Sequence, residues 1–263
     1  MENIIISVLN NKGGCGKTTT VVTLAHIIGK DKKLRVLAID NDTQGNAGDI
    51  LLKGVNYDNN LYNLIIENAP IPTCIYRTAE YKNVWCLPND PEYMAAYEVD
   101  LSKDYKRYRA ALQEYVRQHF DLVLIDNPPN LGTFTLQALG MSDACIVPTE
   151  AGSRFSTQGL INAMKFIEEI RTSDNTEFSN PELRFLKLLI TKVDKRTNAS
   201  NAIVEHITEM FPPEQRFETV VPVSAPIQQA EMYGETVLKF RSGAPGTTAY
   251  RKVADELVTA LEV

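Results

Sequence analysis

No stretch of this chain comes near the ~18 consecutive apolar residues that a membrane-spanning helix needs, so no such span is expected and no membrane partner with it. Positive charge is not in excess either. The 27 Lys and Arg face 33 Asp and Glu, a formal net charge of −6, which excludes a uniformly basic nucleic-acid surface but leaves room for a local basic patch. Cysteines are few, and Cys15, Cys74, Cys86 and Cys145 show no CxxC or CxxH spacing, so reduced thiols are expected and a zinc site is not. The histidines, His26, His119 and His206, stand alone near helical segments and are expected to pack or face solvent. The start, MENIIISVLNN, has neither a basic leader nor a small-residue cleavage site, which makes the cytoplasm the expected location. Repeats of fixed period and low-complexity tracts are missing too.

What remains is ordinary for a soluble globular chain, with 44% hydrophobic and 23% charged residues. At 263 residues a single domain with a sizeable core is expected. Apolar, β-branched runs at Ile4–Val8, Val36–Ile39, Val84–Leu87, Leu122–Ile125, Ala144–Val147, Leu186–Ile190 and Thr219–Val221 are apolar at nearly every position, as in strands covered on both faces. Helical patterns follow at Lys17–Ile28, Thr133–Leu139, Gln158–Arg171, Ser200–Met210 and Thr248–Leu261. This alternation predicts an α/β fold with a doubly wound, mostly parallel sheet. The segment 55–100, with Pro70, Pro72, Pro88 and Pro91, is less regular and reads as an insertion rather than a second domain.

The sharpest motif is IIISVLNNKGGCGKTTTVVTLAHII, a buried strand, a glycine-rich turn and a helix. Glycines let the backbone curl so that consecutive N–H groups face phosphate oxygens, and the helix adds its positive end. The segment Asn10, Asn11, Lys12, Gly13, Gly14, Cys15, Gly16, Lys17, Thr18, Thr19 is therefore the expected ATP site, with Lys17 on the β- and γ-phosphates and the Thr18 hydroxyl on Mg2+. Cys15 reads as a small residue that fits the loop; a thiol activated by the nearby helix end is the alternative. Two carboxylates, Asp40 and Asp42, close the second strand, where open α/β sheets place their ligands. Asp126 ends the run DLVLID in a Walker B pattern and is the expected magnesium-side carboxylate.

The strict pattern G-x-x-x-x-G-K-[ST] fails at its first glycine, which is Asn11, and a second lysine, Lys12, precedes the glycines. This variant resembles the deviant Walker A box of the ParA/MinD group of ATPases. The likeness continues in DNDTQGN, where the family has D-x-D-P-Q-G-N, in DNPPNLG against D-x-P-P-S-L-G, and on through LLITKVDKRTNAS and FETVVPVSAPIQQAEMYGE. Nearly the whole chain is covered, most closely by the short ParA partitioning ATPases. The resemblance implies that Lys12 reaches the nucleotide of a partner subunit in an ATP-bridged homodimer, that Asp42 polarises the attacking water, and that Asp40 supports the metal shell. It also implies that Asn127–Gly132 form a switch loop and that Thr191, Lys192 and Pro222 lie near the adenine. The implied function is slow ATP hydrolysis driving plasmid or chromosome partitioning, with non-specific DNA and a stimulating ParB-like protein as partners.

The nitrogenase iron-protein branch needs a pair of cluster cysteines near the switch, and residues 127–140 contain none. At positions where many short ParA proteins carry DNA-gripping bases this chain has Val223, Pro226 and Glu235. Fewer charges there predict weaker phosphate neutralisation. The stretch from Lys103 to Arg117 holds five bases against two acids, interleaved with tyrosines, and is the candidate substitute; a solvated helix face is the simpler reading. The alternatives in function are a positioning switch acting on a protein cargo and an ATP-dependent metabolic ligase of related fold.

Overall fold

The computed structural model describes residues 3–90, 98, 101–152, 155–175 and 178–261. Seven strands form one sheet: β1 (Ile4–Val8), β2 (Val36–Asp40), β3 (Tyr76–Arg77), β4 (Val84–Leu87), β5 (Leu122–Asp126), β6 (Ala144–Glu150) and β7 (Arg184–Thr191). Their spatial order is β3-β4-β2-β5-β1-β6-β7, with β3 the antiparallel edge and every other pair parallel. The helices among the described residues are α1 (Lys17–Ile27), α2 (Asn46–Leu51), α3 (Leu61–Ile65), α4 (Arg107–His119), α5 (Thr133–Met141), α6 (Phe155–Thr172), α7 (Asn198–Met210), α8 (Ala225–Met232), α9 (Val237–Phe240) and α10 (Pro245–Leu261). None of them is long and apolar enough to cross a membrane.

Period-2 alternation sorts the strand residues between two faces. Ile4, Ile6 and Val8 of β1, Val36 and Ala38 of β2, and Leu122 and Leu124 of β5 face a core closed by α1, α2 and α10. Ile5, Leu37, Ile39, Val123 and Ile125 face the other way, against α3, α4 and α5. Farther along that second face, Cys145, Val147, Leu188 and Ile190 pack under α6 and α7. The five-residue strands β1, β2 and β5 are buried throughout, which is why they read as continuous apolar runs.

Two segments depart from expectation. Thr219–Val221 makes no strand; the Val221 amide donates to the Ile190 carbonyl of β7 at 2.9 Å, and isolated bridges at Leu188–Arg216 and Val193–Pro222 flank the segment. Between residues 55 and 100 the chain supplies α3, β3 and β4, while residues 91–97, 99 and 100 lie outside the described ones.

Parallel register decides where the chemistry falls. Asp126 is the register partner of Val8 on one side and of Asp40 on the other. The carboxyl ends of β1, β2 and β5 therefore open into one crevice, on the side where strand order reverses.

Candidate nucleotide site

The phosphate loop leaves β1 at Val8 and enters α1 at Lys17. Its turn requires left-handed backbone at Gly14 (φ 74°) and Gly16 (φ 93°), which only glycine adopts without strain. Asn10 anchors the entry: it is buried, its Nδ2 donates to the Pro148 carbonyl (2.8 Å), and its Oδ1 accepts from the Lys12 amide (3.0 Å). On the far side Thr191 Oγ1 donates to the Cys15 carbonyl at 2.8 Å. The Cys15 side chain is fully buried, and burial pushes its thiol above the ordinary range, so it fills space in the loop and is no nucleophile.

A cleft of about 550 Å³ opens over this loop, lined by Gly13, Gly14, Gly16, Lys17, Thr18, Thr19, Asp42, Asn46, Asp49, Ile50, Pro129, Lys192, Glu231, Met232 and Gly234. A smaller adjoining hollow is lined by Gly16, Thr19, Thr191, Lys192, Val221, Pro222, Val223, Ser224, Ile227, Gln228, Glu231 and Tyr250. Thr191, Lys192 and Pro222 thus come together beside the loop, and Lys192 borders both spaces. Its backbone is left-handed (φ 52°), a conformation non-glycine residues hold only where their surroundings enforce it.

Lys12 is set apart. It does not line the cleft, and its Nζ pairs with Glu150 Oε1, at the end of β6, at 2.5 Å. Lys17, in contrast, is buried, lines the cleft, and donates to the Lys12 carbonyl at 3.4 Å.

The three aspartates sit in different surroundings. Asp42 lines the cleft, and its Oδ1 accepts from the Gln44 amide (3.1 Å). Asp40 is fully buried, with Oδ1 accepting from the Asp42 amide (3.2 Å) and Oδ2 from the Gly48 amide (2.8 Å). Burial, then the neighbouring Asp126, raises its pKa well above the carboxylate range. Asp126 is also fully buried, and neither of its oxygens has a hydrogen-bond partner among the described residues. The Thr18 side chain faces it and pulls its pKa down without closing a hydrogen bond, but burial and then Asp42 outweigh that and leave the pKa raised. Two orphaned carboxylate oxygens beside a threonine hydroxyl make a donor set that fits Mg2+, which keeps most of its water and takes one or two protein oxygens. No group of three or more acidic, histidine or cysteine side chains suited to a metal occurs among the described residues.

Several lining residues have no role that the sequence motifs assign. Asn46 closes DNDTQGN, and Glu231 and Met232 lie within FETVVPVSAPIQQAEMYGE, but neither stretch gives them a role. Asp49 of α2 and Tyr250 of α10 are brought in by helix packing.

A parallel sheet with a glycine loop, two lysines and buried aspartates at one end defines a P-loop nucleotide-hydrolysing protein. Known proteins carry this further. The AAA domain family matches residues 3–180. The chain is 32% identical to the chromosome-partitioning ATPase Soj of Thermus thermophilus, over 98% of this chain and 96% of that one. It is 30% identical to the chromosome partitioning protein ParA of Myxococcus xanthus, over 97% and 87%. It also superposes on cobyrinic acid a,c-diamide synthase from Mycobacterium smegmatis with bound ADP and magnesium, with a TM-score of 0.79, 25% identity, and coverage of 99% and 96%. The chain belongs to the ParA/MinD group of P-loop ATPases. It is accordingly an ATPase, with ATP and Mg2+ as its cofactors.

Proposed function

We propose that this chain is a partitioning switch in which two copies close over Mg-ATP, bind DNA non-specifically and let go after slow hydrolysis stimulated by a ParB-like partner. The observation that carries the reading is the division of labour between the two lysines. Lys17 lines its own cleft, whereas Lys12, on the same loop, pairs with Glu150 and does not line it, which supports a role for Lys12 toward the nucleotide of a second subunit.

In the reaction the loop amides and the positive end of α1 hold the phosphates, and Lys17 absorbs charge on the β- and γ-groups. Thr18 and Asp126 would hold Mg2+, which supplies further charge neutralisation when bound. Asp42 orients the attacking water; its carboxylate is the one of the three that both faces the cleft and keeps an oxygen free of backbone bonds in the described contacts. Asp40, with both oxygens on backbone amides, braces the loop that carries Asp42. Thr191 and Pro222 border the base, with Lys192 between base and phosphates. In-line attack needs positioning and charge stabilisation more than covalent help, which this set provides.

A second reading, the same switch acting on a protein cargo, is favoured by the exposed Val223 and by Glu235, which is paired with Lys53 and Lys239. A salt-titrated DNA mobility shift with ATP, run on the wild type and on Asp42→Ala, separates the two. Under the DNA reading both proteins shift DNA, the affinity falls steeply with salt, and Asp42→Ala binds ATP but no longer turns it over. ATP-bound protein that leaves DNA unshifted at low salt moves the reading to a protein cargo. Normal hydrolysis by Asp42→Ala removes the water-orienting role.

A further inference from the structure

Asn41 stands between Asp40 and Asp42, and its side chain is fully buried. The strand residues before it that share its face, Leu37 and Ile39, lie in an apolar cluster with Leu112, Phe134 and Met141. A polar amide in such surroundings costs free energy unless every group is paired. Here the pairing is complete and long-range. Asn41 Nδ2 donates to Asn127 Oδ1 (2.9 Å) and to the Phe134 carbonyl (2.9 Å), while its Oδ1 accepts from the Tyr108 hydroxyl (2.9 Å). Asn127 in turn donates through Nδ2 to the carbonyls of Val8 (3.2 Å) and Ile125 (3.3 Å). The amide of Asn41 also donates to the Asp126 carbonyl at 2.9 Å.

Each tie ends on a piece of the site. Asn41 is flanked by Asp40, the last residue of β2, and Asp42; Asn127 follows Asp126, Val8 precedes the phosphate loop, and Phe134 lies in the first turn of the helix after Asn127–Gly132. Tyr108 alone comes from outside. It projects from α4 on the same buried face as Leu112 and Val116, and its amide is held by Gln137 Oε1 of α5 at 3.1 Å. An apolar residue at 41 would take the shared Nδ2 donor from both Asn127 Oδ1 and the Phe134 carbonyl, so this amide is what couples the end of β2 to the loop after β5.

We propose that Tyr108 is a positioning residue for ATP hydrolysis: its hydroxyl locks Asn41 onto Asn127 and so fixes the spacing between the loops that bear Asp42 and Asp126. The proposal rests on the reading that Asp42 orients the water. Without the hydroxyl, Asn41 Oδ1 is left buried with no donor and the amide turns to find one, shifting the Asp42 loop against the Asp126 strand end. Nucleotide affinity, set by the loop amides and Lys17, is left in place.

The test is steady-state ATPase kinetics on Tyr108→Phe and Asn41→Ala, singly and together, with the rate expressed per folded molecule and ATP binding measured by titration. Tyr108→Phe differs by one oxygen and keeps the packing. The expected result is a fall in kcat of about tenfold, the scale at which sub-ångström misplacement acts, with ATP affinity unchanged within about twofold. The double variant is expected no worse than Asn41→Ala, since both changes break one chain of contacts. Wild-type kcat in Tyr108→Phe overturns the proposal, as does a fall in ATP affinity that accounts for the whole loss. Asp42→Ala run alongside keeps the two ideas apart: if it turns over normally the water-orienting reading fails, whereas if it is inactive and Tyr108→Phe is normal, only the clamp fails.

Discussion

Low dielectric disfavours whichever form of a side chain is charged, so burial raises the carboxyl of Asp126 and lowers the imidazole of His26. His26 lies on α1, its Nδ1 2.7 Å from Thr236 Oγ1 and its ring against Tyr81. Burial first, and Lys30 second, bring its pKa from 6.5 to about 4. The folded chain therefore binds fewer protons than the unfolded one between those values, so stability is full above 6.5 and drains as the pH falls toward 4. From neutrality to about pH 4.5 the wild type is expected to lose about 2–3 kcal/mol more unfolding free energy than His26→Gln. Urea unfolding of both proteins at the two pH values checks this, and equal losses would remove the histidine from the explanation. At the same scale, Cys145 and Cys86 are buried thiols with raised pKa and are inert, as their lack of spacing implied.

Helices and strands meet tightly where α1 runs out. The chain continues from α1 into a π-turn over Ile28–Lys32, and a methyl on Gly29 would fall 2.7 Å from the Lys82 carbonyl oxygen and 2.8 Å from Val84 Cγ2. Asn83, itself left-handed, donates its side-chain amide to the Gly29 carbonyl (3.1 Å) and closes the contact. Gly29→Ala gains up to ~1 kcal/mol in helix propensity but forces β4 away from the helix end, an overpacking cost of about 1–3 kcal/mol. A net loss of about 1–2 kcal/mol is expected from denaturant midpoints, with phosphate-loop nucleotide binding intact; unchanged stability would mean that β4 yields freely. Element by element, what the chain discloses locally is uneven. The buried strands β1, β2 and β5 and the helix after the glycine loop are legible because their signals are short-range: continuous apolar runs, then a turn only glycine can make. α4 is less so, since only Tyr108, Leu112 and Val116 are buried in a helix of mostly polar residues. The stretch before Pro222 reads as a strand because Val220 and Val221 are apolar, yet it meets β7 through the Val221 amide and flanking single bridges. Asn41 falls at the variable position of D-x-D, and its partner Tyr108 is 67 residues away, a separation over which sequence carries no pattern.

For the molecule as a whole the question is what a second copy changes. The Lys12–Glu150 pair is about a quarter exposed on one side and less on the other, and such pairs contribute ~0–1 kcal/mol to folding. Lys12→Ala is therefore expected to stay folded and to bind ATP, yet to remain a monomer in ATP by light scattering, whereas the wild type gains mass. ATP-induced dimers of Lys12→Ala would refute the trans role.

The smaller hollow beside the phosphate loop joins the two ends of the described chain. Tyr250 of α10 lines it and its hydroxyl sits 3.1 Å from Thr20 Oγ1 of α1, while Gly246 lets α10 approach so closely that a methyl there would lie 2.6 Å from Ile227 of α8. During synthesis the glycine loop emerges well before the α8 and α10 residues that wall that hollow. A nascent chain thus carries the amides of the glycine loop long before Ser224, Ile227, Glu231 and Tyr250 exist to wall the hollow beside them.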